Sequence, residues 1–178
     1  MVHALGRMHR DLKSGNILVT SVVVAGLGVQ MRVKVADFGT ATLATLASAS
    51  ANNGAVGESG ALADERGALD VRVKTKRTKG VGTPLWMAPE VVAGQRYDAK
   101  ADVYSFGIVM WEISSRDEPW KEVHGKFLLD ELLQKILAGE RPLVGPDWPG
   151  VYVKVMRQCW STDPIDKPTF TEMVQWLE

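Results

Sequence analysis

Apolar and polar positions change rhythm several times along the chain. Aliphatic and β-branched residues crowd Ile17 to Val24 and Met31 to Ala36, with Gly26 and Gly28 between them. That pattern predicts two strands joined as a hairpin with a loose tip. From Thr40 to Asp70 the period vanishes: Ala, Gly, Ser, Thr and Asn dominate and bulky side chains are nearly absent. Such a segment cannot bury enough surface to offset the entropy of ordering it, so residues 40–70 are expected to form a disordered insert. The basic run that follows, "VRVKTKRTKG", suits a solvated loop face.

Farther on the rhythm becomes helical. "ADVYSFGIVMWEIS", Ala101 to Ser114, is apolar nearly all round, the mark of a helix buried at the centre of a domain. Phe127, Leu128, Leu132, Leu133, Ile136 and Leu137 recur at helical spacing, and Gly139 supplies a C-terminal stop. Val151, Val155, Met156, Cys159 and Trp160 repeat the pattern. A last helix is predicted to open at Pro168 and to bury Phe170, Met173, Val174 and Leu177.

Composition narrows the class. With 178 residues, 46% hydrophobic and 24% charged, the chain can build one ordinary domain with a real core. Lysine plus arginine and aspartate plus glutamate both number 21, so no net field advertises a nucleic-acid partner. No aromatic residue interleaves with the basic run, which also speaks against nucleic-acid binding. The single cysteine, Cys159, cannot close an internal disulfide and is expected to be a buried thiol in a reducing compartment. "MVHALGRMHRD" lacks the apolar stretch of a signal peptide, and "VVVAGLGV" is too short to span a bilayer. A cytoplasmic protein with no membrane segment is the expectation.

Chemistry concentrates in "HRDLKSGN", residues 9–16, which sets an acid, a base and an amide at short fixed intervals. Four further stretches accompany it: "DFG" at 37–39, "GTPLWMAPE" at 82–90, "DVYSFG" at 102–107 and "CWSTDPIDKPTF" near the end. In this order, from His9 to Trp176, they resemble the protein kinase family, and the last two are similar to its tyrosine-kinase-like branch. Lys13 together with "GTPLWMAPE" resembles the serine/threonine kinases.

The resemblance implies ATP and Mg²⁺ as cofactors and a protein hydroxyl as acceptor. Phosphoryl transfer asks a protein mainly to position the reactants and to place cations around the moving phosphate. By that match Asp11 accepts or orients the substrate proton, and Lys13 faces the γ-phosphate. Asn16 and Asp37 offer the oxygen donors that Mg²⁺ prefers. Leu18 and Ala36 line the adenine pocket, and His9 and Arg10 support the loop. Thr75 and Thr78 become candidate phosphorylation sites, Thr83 a partner of Asp11 and Lys13, and Asp102 a cap on the loop backbone.

The implied fold is mainly α, a protein-kinase-like C-lobe in which a helical bundle carries a small β-hairpin at the active site, with the N-lobe missing. No "GxGxxG" loop, strand lysine or partner glutamate precedes residue 9, so residues 1–178 are expected to form the large lobe alone. The isolated chain should then transfer phosphate poorly. A small lobe or partner would cover the large-lobe face left bare. A catalytically inactive docking or scaffold protein stays open as the alternative. Finally, Lys167 stands where the family's arginine pairs with the glutamate of "APE", here Glu90. A lysine keeps the charge without the two-pronged geometry, so a weakened link is expected, one that Lys167→Arg would strengthen.

Overall fold

The computed structural model describes residues 7–24, 28–40, 42–43, 84–121 and 128–177. Four strands come first: β1 (Arg7–Met8), β2 (Ile17–Val24), β3 (Gly28–Val35) and β4 (Thr42–Leu43). Five helices follow: α1 (Pro89–Val92), α2 (Lys100–Ser115), α3 (Leu128–Leu137), α4 (Gly150–Cys159) and α5 (Phe170–Leu177).

The hairpin is antiparallel, running from Ile17 opposite Val35 to Val24 opposite Gly28. Its second strand starts at Gly28, three residues before the sequence pattern suggests, because the ladder closes through Gly28 as well. Val19, Met31, Val33 and Val35 alternate onto one face of this ribbon and are exposed. A second short pairing joins β1 to β4, with Arg7 opposite Leu43 and Met8 opposite Thr42. Thr42 and Leu43, within the Ala/Gly/Ser-rich stretch, therefore lie in a strand. The remainder of that stretch, the basic run, Thr75, Thr78 and Thr83 lie outside the described residues.

Helix α2 forms the centre. Val103, Tyr104, Ile108, Val109 and Met110 are all buried along it, as its apolar circumference demands. Met156 and Cys159 of α4, Trp160 after it and Met173 of α5 complete the main core, and Leu85, Trp120, Leu132 and Ile136 make a second cluster. Each fully buried aliphatic side chain of this size contributes about 1.5–3 kcal/mol. Gly107 lets α4 approach α2 closely. A Cβ built on it would stand 2.9 Å from the Cβ of Cys159 and 3.3 Å from the amide of Trp160. Gly107→Ala is therefore expected to cost about 1–3 kcal/mol by overpacking, read as a lower midpoint in a urea melt with an unchanged slope. Cys159 is buried as expected, and burial pushes its thiol pKa up to about 12.

Gly139 ends α3 as expected. With φ at +82° it takes the left-handed turn, its amide donates to Ile136 at 3.1 Å, and that of Glu140 donates to Lys135 at 2.9 Å. Phe127 falls outside the described residues. The start of α5 differs from the expectation. Thr169, not Pro168, caps it: the Thr169 hydroxyl accepts the Glu172 amide at 3.2 Å while the Glu172 carboxylate accepts the Thr169 amide at 2.6 Å. Helical spacing also overstated its buried face. Val174 and Leu177, like Val151 on α4, are about half exposed or more.

Candidate active site

The stretch 9–16 is a loop held at both ends by α2. Near the first turn of that helix, buried Asp102 accepts the backbone amides of His9 at 2.7 Å and Arg10 at 2.8 Å. Near its end, Glu112 accepts the hydroxyl of Ser14 at 2.9 Å. Pinning the amides lets Arg10 keep a φ of +70°, a left-handed conformation that costs a non-glycine residue of order 1–3 kcal/mol. The Asp102 cap anticipated from sequence is thus present.

His9 is buried and fixes the loop against the segment after β3. Its Nε2 lies 2.8 Å from the carbonyl of Ala36, and its Nδ1 accepts the amide of Asp11 at 3.3 Å. With Nδ1 accepting, Nε2 is the nitrogen that donates to the Ala36 carbonyl. Phe38 meets the same ring edge-on with centroids 4.8 Å apart. The bond from the Ala36 amide to the carbonyl of Asn16, at 2.8 Å, closes the connection.

Within this frame Asp11, Lys13 and Asn16 come together. One carboxylate oxygen of Asp11 receives the Lys13 ammonium at 2.8 Å and the Asn16 side-chain amide at 3.2 Å. That amide also donates to the Asp11 carbonyl at 2.7 Å. Asn16 is buried, whereas Asp11 and Lys13 are each about a third exposed, so the acid and the base face solvent from a fixed base. Asp37 follows Ala36 in a left-handed conformation, φ +61°, and accepts the Gly39 amide at 3.3 Å. Leu18 and Ala36 sit near the root of the hairpin, Leu18 opposite Lys34 and more than half exposed, Ala36 half-buried.

The donor set suits a hard divalent cation bound largely through phosphate and water. With its NH₂ committed to Asp11, Asn16 keeps its amide oxygen as an acceptor with no hydrogen bond among the described residues. Asp37 adds an exposed carboxylate one residue from the Ala36–Asn16 bond. Among the described residues no group of three His, Cys, Asp or Glu side chains gathers that could hold a metal by itself.

Three partners escape a motif-by-motif reading. Glu112 also accepts the Trp86 indole N–H at 2.7 Å, and Ser105 donates to the Trp86 carbonyl at 2.8 Å. Burial raises the Glu112 pKa above the usual carboxyl value, opposed by the bonds from Trp86 and Ser14. A lone acid inside an apolar helix, "GIVMWEIS", is the signal that could have exposed it.

The Glu90–Lys167 pair expected from the sequence is present, and it is two-pronged. A single ammonium lies 2.6 and 2.8 Å from the two oxygens of Glu90, with both side chains buried. Three N–H groups on one nitrogen suffice for both contacts. The Lys167 ammonium lies 5.3 Å and the Arg141 guanidinium 5.0 Å from the centroid of the Tyr104 ring. Burial pulls the Lys167 pKa below its ordinary value, with Glu90 opposing.

Comparison with known proteins follows the same lines. The model of the protein kinase domain family matches residues 1–177. Cyclic GMP-binding protein C of Dictyostelium discoideum is 35% identical over 170 residues, covering 96% of this chain and 5% of that protein. A protein from the same organism named "Probable serine/threonine-protein kinase drkC" is 35% identical over 171 residues, covering 96% of this chain and 18% of its own length. A third, named "Probable LIM domain-containing serine/threonine-protein kinase", is 33% identical over 177 residues, covering 99% and 21%. The chain thus spans about a fifth or less of the length of these relatives.

Proposed function

The chain belongs to the protein kinase family, and from that premise we propose that it supplies the large lobe of a serine/threonine kinase of the tyrosine-kinase-like branch, transferring the γ-phosphate of ATP to protein hydroxyls. The observation that carries this reading is the Asp11 carboxylate. It is shared by Lys13 and Asn16 on one oxygen, which leaves its other oxygen to take the proton of an incoming hydroxyl. Lys13, two residues on, brings a positive charge to the phosphate as negative charge builds there. Asn16 and Asp37 would hold Mg²⁺, which when bound offsets the charge of the nucleotide phosphates. Leu18 and Ala36 would contact the adenine.

The choice of serine and threonine over tyrosine rests on "HRDLKSGN" and "GTPLWMAPE" and on the names of the relatives. The branch rests on "DVYSFGIVMWEI" and "CWSTDPIDKPTF". Among the described residues no helix is long and apolar enough to cross a membrane, and we place the activity in the cytoplasm.

Incubating the protein, expressed from its full reading frame, with Mg-ATP and a degenerate peptide library tests the proposal. Phosphoserine and phosphothreonine are the expected products. Predominant phosphotyrosine would overturn the acceptor class, and absence of both nucleotide binding and transfer would favour a docking role.

A further inference from the structure

Helix α4 presents two different stripes. Val155, Met156 and Cys159 turn to the core, and the Tyr152 hydroxyl donates to the Met110 carbonyl at 2.7 Å, which fixes the helix against α2. A second stripe, carrying Val153, Lys154, Arg157, Gln158 and Ser161 at helical spacing, lines a groove of about 620 Å³. Asp166, in the turn Pro164–Asp166, stands on its other wall. That wall is firmly set. Asp163 caps the turn by accepting the Ile165 amide at 2.9 Å, and Lys167, which follows the turn, is anchored in the buried pair with Glu90.

Charge is spread unevenly over the groove. Lys154 and Arg157 stand one turn apart and are exposed. Lys121, Lys135 and Lys167 each meet a carboxylate, whereas neither Lys154 nor Arg157 has an ion pair among the described residues, with Asp166 or with any other acid. Like charges one turn apart work against a helix, so an anion between them would relieve that repulsion and gain two charged contacts. Gln158 and Ser161, both half-buried, add neutral donors on the same stripe, and half-buried Val153 adds an apolar contact.

We propose that this groove binds a phosphorylated segment of another protein, its phosphate held by Lys154 and Arg157 and its backbone lying along Gln158 and Ser161. A phosphoserine or phosphothreonine carries about −1.5 to −2 charge at neutral pH, enough to balance both cations, where a carboxylate side chain balances one. The guanidinium can take two phosphate oxygens at once and the ammonium a third. From Gly150 to Ser161 the groove follows the helix for about 16 Å, more than a free phosphate would cover. Its concave form and the acidic wall at Asp166 suit a peptide better than an anionic membrane surface. The proposal stands independently of the transfer reaction, since no residue of the loop 9–16 takes part.

The test uses the protein expressed from its full reading frame and its Lys154→Gln and Arg157→Gln variants, which keep helix propensity at two exposed positions. Each is exposed to a degenerate peptide array built around a fixed phosphoserine or phosphothreonine, and to the same array without phosphate. Peptides retained only when phosphorylated are the expected result. By fluorescence polarisation, the tightest of them should bind about tenfold more weakly to Arg157→Gln and about threefold more weakly to Lys154→Gln, with melting curves unchanged. Inorganic phosphate should compete only at about a hundredfold excess or more over the peptide. Vesicles of phosphatidylserine and phosphatidylcholine should treat all three proteins alike. No retained peptide, retention regardless of phosphorylation, or affinities unchanged in both variants would overturn the proposal. So would competition by phosphate on equal terms with the peptide, or vesicle binding that is lost in the variants.

Discussion

Asp11→Asn is expected to slow phosphate transfer by roughly a hundred- to ten-thousandfold, the range supplied by a positioned general base. Asparagine preserves the shape and the contact with Asn16 but cannot take the substrate proton, and it leaves Lys13 without its carboxylate partner at 2.8 Å. Because this ion pair is partly exposed, its loss should change stability by no more than about 1 kcal/mol. Single-turnover rates at saturating Mg-ATP, with a thermal melt of the same sample, separate the two effects. A rate within about threefold of the unaltered protein would remove Asp11 from the proton transfer.

The second large effect concerns stability. Lys167→Met should cost about 3–5 kcal/mol, because it leaves the Glu90 carboxylate buried without its ammonium. For a domain of this size that corresponds to a fall in Tm of roughly 6–20 °C. Adding Glu90→Leu to the same protein should recover most of the loss, since a well-packed apolar pair replaces a buried ion pair at little net cost. Lys167→Arg is expected to lower Tm, not raise it. The lysine already reaches both oxygens and its side chain is fully buried, so the larger guanidinium would have to displace packed neighbours. A calorimetric scan of the three variants decides, and an unchanged Tm for Lys167→Met would show that the pair carries no stability.

These results bear on what a sequence makes legible. Residues 9–16 could be read because their chemistry is packed into eight positions, and the structure joins Asp11, Lys13 and Asn16 as that spacing suggests. The central helix was legible because a stretch apolar on every side has nowhere to go but the interior. The stop at Gly139 follows from a backbone conformation that glycine adopts without penalty.

What escaped depended on partners distant in sequence. No local pattern announces that the carboxylate at 112 receives both Ser14 and Trp86, or that a lysine at 167 meets both oxygens of a glutamate 77 residues away. Helical spacing assigned Val174 and Leu177 to the core because it identifies an apolar face without saying whether anything packs on it. The capping box at Thr169 and Glu172 was legible in principle, a threonine followed three residues later by a glutamate, but the adjacent Pro168 competed as a helix start.

In the proposed function, the loop 9–16 and Asp37 form a site for metal-bound nucleotide. Calorimetric titration with ATP, with and without Mg²⁺, tests it most directly, using the protein from its full reading frame and its Asp37→Asn variant. Binding that requires Mg²⁺ and is lost or weakened at least tenfold in the variant is the predicted result. No binding, or binding indifferent to both the metal and Asp37, would contradict it.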